Sequence, residues 1–69
     1  MTVSCYVSEP GAKTPELMMF IEIPRIGELL HLPGRDGEFE VVRVRHAAQR
    51  PSGWTLPAVY VYLADRPAG

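Results

Sequence analysis

Hydrophobic and polar residues alternate over short stretches of this chain, a pattern typical of β-strands. The longest such stretch, Glu38 to His46, changes phase midway, with Phe39 and Val41 on odd positions and Val42 and Val44 on even ones. One flat strand cannot turn both pairs toward the same side, because successive side chains point to opposite faces. We therefore predict a β-bulge near Val41 and Val42 that redirects the chain and lets one strand curve around a small barrel.

Three further stretches are predicted to be strands of the same sheet. Leu17 to Ile23 places apolar side chains on its odd positions and leaves Met18 and Phe20 on the other, nominally outer, face. Glu28 to Leu32 is a short strand, and Leu56 to Leu63 is the closing strand. None of these stretches shows the 3.6-residue period of an amphipathic helix, so we expect an all-β protein.

Proline and glycine divide these strands from one another. Pro24-Arg25-Ile26-Gly27 is predicted to be a turn, because proline presets φ and glycine adopts a positive φ without strain. Residues 33–37, Pro-Gly-Arg-Asp-Gly, are predicted to be a hairpin connection, since Asp-Gly beside alternating apolar residues favours one. Residues 47–55 are expected to form a longer loop.

The predicted architecture is a single small domain of 69 residues, a four- or five-stranded antiparallel barrel or strongly coiled sheet. Residues 17–63 make up its barrel core, residues 1–16 add an edge strand and a mobile loop, and residues 64–69 form a tail. The side chains expected to face inward are Leu17, Met19, Ile21, Ile23, Ile26, Leu30, Leu32, Phe39, Val41, Val42, Val44, Val59, Val61 and Leu63.

One segment order is familiar from other proteins. Ile23-Pro24-Arg25-Ile26-Gly27-Glu28, then residues 38–46, then an apolar closing strand, resembles the pattern of short uncharacterised bacterial proteins with compact SH3-like barrels. The resemblance covers residues 20–63, about two thirds of the chain. It implies an SH3-like architecture in a bacterial protein, and it brings no activity or site residues with it.

The charge balance limits the classes of partner. A net charge of −1 argues against a general polyanion-binding protein, which draws its affinity from Lys and Arg. Residues 1–40 carry three basic and seven acidic side chains (−4), whereas residues 41–69 carry four basic and one acidic (+3). We therefore expect an acidic and a basic side on one small body. The chain shows no secretory signal pattern and no run of about 20 apolar residues, so a cytoplasmic protein is expected.

The pairing of residues 38–46 with the closing strand defines the most informative surface. A register that puts the aliphatic side chains of both strands on one face pairs Val44 with Val61 and Val42 with Leu63. The residues between them then lie on the outer face of the sheet, where they also face each other in pairs.

These outer pairs form a ladder of arginine and tyrosine, in which Arg45 lies near Tyr60 and Arg43 near Tyr62. The ladder could bind a protein, since both residue types are enriched at binding hot spots. Together with Arg50 it could instead stack on single-stranded nucleic acid. It could also serve only to stabilise an exposed sheet, through cation–π contacts of about 0.5–1 kcal/mol.

Three other large side chains are candidate contact residues. Trp54 lies in the long loop and is either a plug over the barrel end or a platform that faces a ligand. Met18 and Phe20 are either covered by the N-terminal segment or form a patch for self-association. The excess of apolar side chains outside one inward set predicts a homodimer.

The residue types that carry catalysis or metal binding form no recognisable pattern. Cys5 is the only cysteine, and its spacing to His31 and His46 matches no compact zinc site, which normally takes four ligands. Glu38 and Glu40 are expected to be solvated, without the pocket that a catalytic pair needs. We therefore expect no enzyme, cofactor or metal, but an interaction module that binds a protein partner or its own copy. The alternative is a small nucleic-acid-binding barrel.

Overall fold

The computed structural model describes residues 1–51 and 58–66 of the chain. Within these ranges five strands form one sheet that curls strongly into a half-barrel, and no helix is present. The prediction of a small all-β fold is therefore confirmed. The strands are β1 (Val3–Ser8), β2 (Glu16–Phe20), β3 (Leu29–Leu30), β4 (Glu38–Ala47) and β5 (Ala58–Arg66).

The strands lie across the sheet in the order β2-β1-β5-β4-β3. Three of the four neighbouring pairs are antiparallel, but β1 runs parallel to β5. The prediction of a purely antiparallel sheet is therefore wrong, and so is the prediction that the first strand lies at an edge. Local patterns identify hairpin neighbours, whereas the parallel contact joins two distant parts of the chain. Placing β1 between two strands pairs its backbone on both sides.

The core is built from the inner side chains of β1, β4 and β5 together with Leu32. Cys5 and Val7 of β1 are almost completely buried, so the core is not confined to residues 17–63 as predicted. The buried residues are Cys5, Val7, Leu32, Phe39, Val41, Val61 and Leu63. Partly buried side chains that pack against them are Val3, Met18, Phe20, Leu30, Val44 and Val59.

β2 faces the opposite way from the prediction. Met18 lies opposite the buried Cys5, and both Met18 and Phe20 pack against the core. Leu17 and Met19 lie on the outer face instead, where they are 56% and 67% exposed. Alternation alone could not decide between the faces, because every residue from position 17 to position 21 is apolar. The pairing with β1 decides it.

The segment after β2 is also less buried than expected. The strand ends at Phe20, so three isoleucines assigned to the core lie outside it in the connection to β3. Ile21 and Ile26 are 83% and 68% exposed, and Ile23 is 36% exposed. These three residues take part in no strand pairing that would turn their side chains toward the core.

The bulge predicted in the middle of β4 is present. Val41 lies opposite Leu63, and the pairing resumes at Arg43, so Val42 is the extra residue. Val41 is fully buried, whereas Val42 is 47% exposed. The predicted pairing of Val42 with Leu63, and the core position of Val42, are therefore wrong. The predicted phase change is real, and the bulge achieves it by turning this one side chain outward.

The predicted turn at residues 24–27 is hydrogen-bonded to the bulge in β4. The Gly27 N–H donates to the Val41 carbonyl at 2.8 Å, and the Val41 N–H donates to the Glu28 carbonyl at 2.9 Å. Gly27 has a φ of 94°, which L side chains rarely adopt. The Glu28 carboxylate accepts a hydrogen bond from the Arg25 N–H at 2.6 Å and closes the turn. The chain leading into β3 is thus held against the centre of β4.

Two Pro-Gly turns lie in the connections of the β1–β2 and β3–β4 hairpins. The Arg35 N–H donates to the Leu32 carbonyl at 3.2 Å, with Gly34 at a φ of 76°. The Ala12 N–H donates in the same way to the Glu9 carbonyl at 3.1 Å. Arg35 Nε also donates to Glu9 Oε1 at 2.9 Å, which joins the two turns and raises the pKa of the Arg35 guanidinium. The hairpin predicted at residues 33–37 is confirmed.

Candidate binding face

One row of side chains crosses four strands on the outer face of the sheet. Leu17 of β2 lies opposite Tyr6 of β1, Tyr6 lies opposite Tyr60 of β5, and Tyr60 lies opposite Arg45 of β4. The residues that alternate with this row face the core, so the row faces outward. The strands among residues 1–51 and 58–66 form a single sheet, so no second sheet packs against this face in the described residues.

Tyr60 is the centre of the row. Its ring stacks on Tyr6, with 5.3 Å between ring centroids and 20° between ring planes. The guanidinium carbon of Arg45 lies 4.3 Å from the centroid of the same ring. Because β1 and β4 flank β5 on opposite sides, these two groups approach Tyr60 from opposite sides. Both faces of the ring are therefore occupied.

A second row lies one step along the strands. Arg43 of β4 is opposite Tyr62 of β5, and its guanidinium carbon lies 5.2 Å from the centroid of that ring. Arg45 Nε donates to Tyr62 Oη at 3.2 Å and so ties the two rows together. We refer to Tyr6, Arg43, Arg45, Tyr60 and Tyr62 as the tyrosine-arginine cluster.

The two arginines of the cluster carry charge that no nearby carboxylate neutralises in the described part of the chain. Arg66 pairs with Glu40 at 3.6 Å elsewhere on the sheet. Within residues 1–51 and 58–66, neither Arg43 nor Arg45 has a carboxylate oxygen within 4.0 Å. Both side chains are exposed. The cluster is therefore a cationic surface whose arginines are already oriented by tyrosine rings.

The structure brings four of the predicted site residues together. Arg45 lies opposite Tyr60 and Arg43 opposite Tyr62, in the register that was predicted for this half of the strand pair. That register held because each strand alternates cleanly beyond the bulge, with buried Val61 opposite partly buried Val44. The cluster's position on the outer face follows directly from this pairing.

Sequence reasoning missed Tyr6 as a member of the cluster. In the sequence, Val3, Cys5 and Val7 alternate with Ser4 and Tyr6, which puts Tyr6 on the face opposite Val7, but nothing local indicates that β1 runs beside β5. Arg50 is exposed and lies beyond the end of β4, where no described contact joins it to the cluster. Trp54 lies outside the described residues. The patch predicted at Met18 and Phe20 faces inward, and the outer apolar residues of β2 are Leu17 and Met19.

A wide, open groove of about 700 Å³ lies beside the segment that follows β2. Val3, Val44 and residues 21–26 line most of it, with His46 at its margin. The lining is mainly aliphatic, and no described side-chain hydrogen bond or ion pair crosses the groove. Its polar lining residues are Glu22, Arg25 and His46, and no described ion pair joins them.

The residues weighed as metal ligands are not brought together. Cys5 is buried in the core, where burial raises the pKa of its thiol, while His31 and His46 line different grooves. Among the residues that the structure describes, no group of three or more His, Cys, Asp and Glu side chains could hold a metal ion. The same ranges contain no helix that is long and apolar enough to cross a membrane.

Comparisons with protein-family models, with curated proteins and with solved structures found no match to this chain. The SH3-like resemblance therefore stays a prediction. Function has to be inferred from the chemistry of the site rather than from the fold.

Proposed function

We propose that this protein is a non-enzymatic interaction module that binds an acidic segment of a partner protein on its tyrosine-arginine cluster. One observation carries the proposal. Three tyrosines and two arginines meet across three strands on a sheet face against which no second sheet packs in the described residues, and no carboxylate in those residues neutralises the two guanidinium groups. An acidic partner would supply the missing negative charge.

The chemistry of the cluster suits a protein partner. Arginine binds a carboxylate through two parallel hydrogen bonds, and its planar group stacks on an aromatic ring while it does so. Arg45 is already held by Tyr60 and by Tyr62 Oη, so it loses less side-chain freedom on binding than a free arginine would. Leu17, next to Tyr6, extends the face with an apolar contact.

Single-stranded nucleic acid is the second candidate, because arginine and tyrosine side chains together also bind phosphates and bases. The geometry favours it less. Both faces of the Tyr60 ring are occupied, by Tyr6 and by Arg45, so a base cannot stack there without displacing one of them. The net charge of −1 also gives little general attraction for a polyanion.

A titration followed by NMR tests the first candidate. The isotope-labelled protein is mixed with a soluble peptide of alternating Glu and Leu, and a peptide of alternating Gln and Leu is the control. We expect amide shifts confined to the strands around the cluster, weakening as salt screens the charges. Arg43→Gln with Arg45→Gln should remove the response, whereas Arg66→Gln, which alters an arginine outside the cluster, should keep it. Equal responses to both peptides would contradict the proposal.

The second candidate is tested with single-stranded oligonucleotides under the same conditions. A nucleic-acid-binding protein must bind at low salt and weaken steeply as salt increases. Oligonucleotide binding without peptide binding would replace the first proposal with the second. No oligonucleotide binding at low salt would remove the second.

A further inference from the structure

Beyond Glu16 at its start, the outermost strand β2 has none of the features that normally keep sheet edges from pairing. Its position at one end of the strand order leaves one side of its backbone without a partner strand in the described residues. Edge strands are usually protected by charges, proline, bulges or short length. The opposite edge, β3, is only two residues long. β2 has five residues and carries no charge after Glu16.

The outer face of β2 is apolar and exposed. Leu17 and Met19 are 56% and 67% exposed, and Ile21, just past the strand, is 83% exposed. Three large apolar side chains in a row along an unprotected edge are typical of a surface that another strand covers.

A groove runs along the same edge. It has a volume of about 400 Å³ and is lined by all five residues of β2 on one side and by His31, Leu32 and Pro33 on the other. Its apolar floor includes the inward Met18 and Phe20, which pack against the core. The groove thus offers an extended chain apolar contacts and a strand edge that has no partner strand among the described residues.

We propose that β2 of a second copy of this chain occupies the groove, so that two half-barrels join through an antiparallel β2 pair into one continuous sheet. This contact leaves the tyrosine-arginine cluster free and does not depend on the function proposed for it. Centring the two-fold axis on Met18 pairs the whole strand with itself: Met18 faces Met18 of the second copy, Leu17 faces its Met19, and Glu16 faces its Phe20.

The charges select this register over its neighbours. Centring the axis on Met19 would place Glu16 opposite Glu22 of the second copy, twice over, and like charges directly opposite destabilise a pair. Centring it on Leu17 would place Pro15 opposite Met19, where proline has no N–H to donate. A shift by a single residue would put inner side chains opposite outer ones. Only the Met18 register uses all five strand residues without these conflicts.

The first test is the mass of the full chain by sedimentation equilibrium. An interface of two five-residue strands is at the small end of protein contacts, so the range to cover is about 10 μM to 1 mM. We expect a dimer, and we expect Met19→Lys to raise its dissociation constant at least ~10-fold. Ile26→Lys is the matched control, because Ile26 is 68% exposed, as Met19 is 67%, but lies outside β2. It should leave the dimer intact.

Cysteine cross-linking tests the register. Mixing Leu17→Cys with Met19→Cys protein should give a disulfide-linked heterodimer faster than either variant alone gives a homodimer, because those two positions face each other across the proposed axis. The buried Cys5 does not compete for the cross-link. A monomer at every concentration, a dimer that survives Met19→Lys, or equal cross-linking in all mixtures would overturn the proposal. Peptide binding measured on the Met19→Lys protein separates this outcome from a failure of the cluster.

Discussion

Tyr60 is held between two side chains from neighbouring strands, the ring of Tyr6 and the guanidinium of Arg45. A contact of this kind at an exposed site stabilises by about 0.5–1 kcal/mol. We expect a double-mutant cycle of Arg45→Met and Tyr60→Leu, measured by urea unfolding, to give a coupling energy of that size. Arg66→Met combined with Tyr60→Leu should give a coupling near zero. Equal couplings in both cycles would mean that the stacked geometry contributes nothing specific.

Cys5 is expected to make the stability of the folded protein depend on pH in the alkaline range. Burial disfavours the thiolate and raises the thiol pKa in the folded state above its value in the unfolded chain. The part of the folding stability that depends on the neutral thiol is therefore fully present below the thiol pKa of the unfolded chain. It is lost as pH rises through the alkaline range above about 8.5. We expect stability to fall more steeply with pH in the native protein than in Cys5→Ala. Parallel pH profiles for the two proteins, measured by urea unfolding, would show that the thiol pKa is the same in the folded and the unfolded chain and would contradict this expectation.

Among the individual site residues, those that depend on a single hairpin could be predicted from the sequence. Arg43 and Arg45 could be paired with Tyr60 and Tyr62 because the two antiparallel strands alternate with the same period. Tyr6 could not be added, since its contact with Tyr60 arises from a parallel pairing between the two ends of the chain. Its outward direction was visible, but its neighbour was not.

The bulge in β4 is the element that lets one strand bury residues on both sides of a phase change. Val41 is fully buried, and the next residue, Val42, is 47% exposed. We expect Val41→Ala to lower the free energy of unfolding by about 2 kcal/mol, from lost burial and the cavity left behind. Val42→Ala should cost less than ~0.5 kcal/mol, as surface changes usually do. Urea unfolding of the two variants measures both losses. Equal losses of unfolding free energy would contradict the assignment of Val42 as the outward-facing residue of the bulge.

Element positions were predicted better than element faces. The phase change at positions 41 and 42 showed that a bulge is needed, yet it could not say which valine turns outward. The turn at residues 24–27 decides it, because Gly27 and Glu28 hydrogen-bond both backbone groups of Val41. The predicted orientation of β2 was wrong for a related reason. Both of its faces are apolar, and only its pairing with β1 distinguishes them.

In the whole molecule, β1 is the strand that connects β2 to the antiparallel strands β3, β4 and β5. It pairs with β2 on one side and with β5 on the other, and it contributes Cys5 and Val7 to the core. We expect a chain that begins at residue 9 to lose cooperative thermal unfolding, as followed by circular dichroism. Removing only residues 1 and 2, which are exposed, should have little effect. A chain lacking β1 that still unfolds cooperatively would mean that the strand is an edge addition after all.

The molecular topology was the least predictable level. Composition and alternation were sufficient for a curled all-β sheet, because they depend on local chemistry. Strand order depends on which distant segments meet, and the parallel pair of β1 and β5 has no local signal in the turns between them. The full extent of the candidate face could not be predicted either, since the face spans that parallel pair.

The central claim, that the tyrosine-arginine cluster binds a protein, is tested most directly by photo-crosslinking in cells of the native source. A benzoylphenylalanine in place of Tyr6 reports on the cluster, and one in place of Ile26 is the control, both in the Met19→Lys background to suppress the proposed dimer. We predict a discrete protein cross-link from position 6 that is lost on Arg43→Glu with Arg45→Glu and absent from position 26. Cross-linking that is equal at the two positions, or that is unchanged by the charge reversal, would contradict the claim.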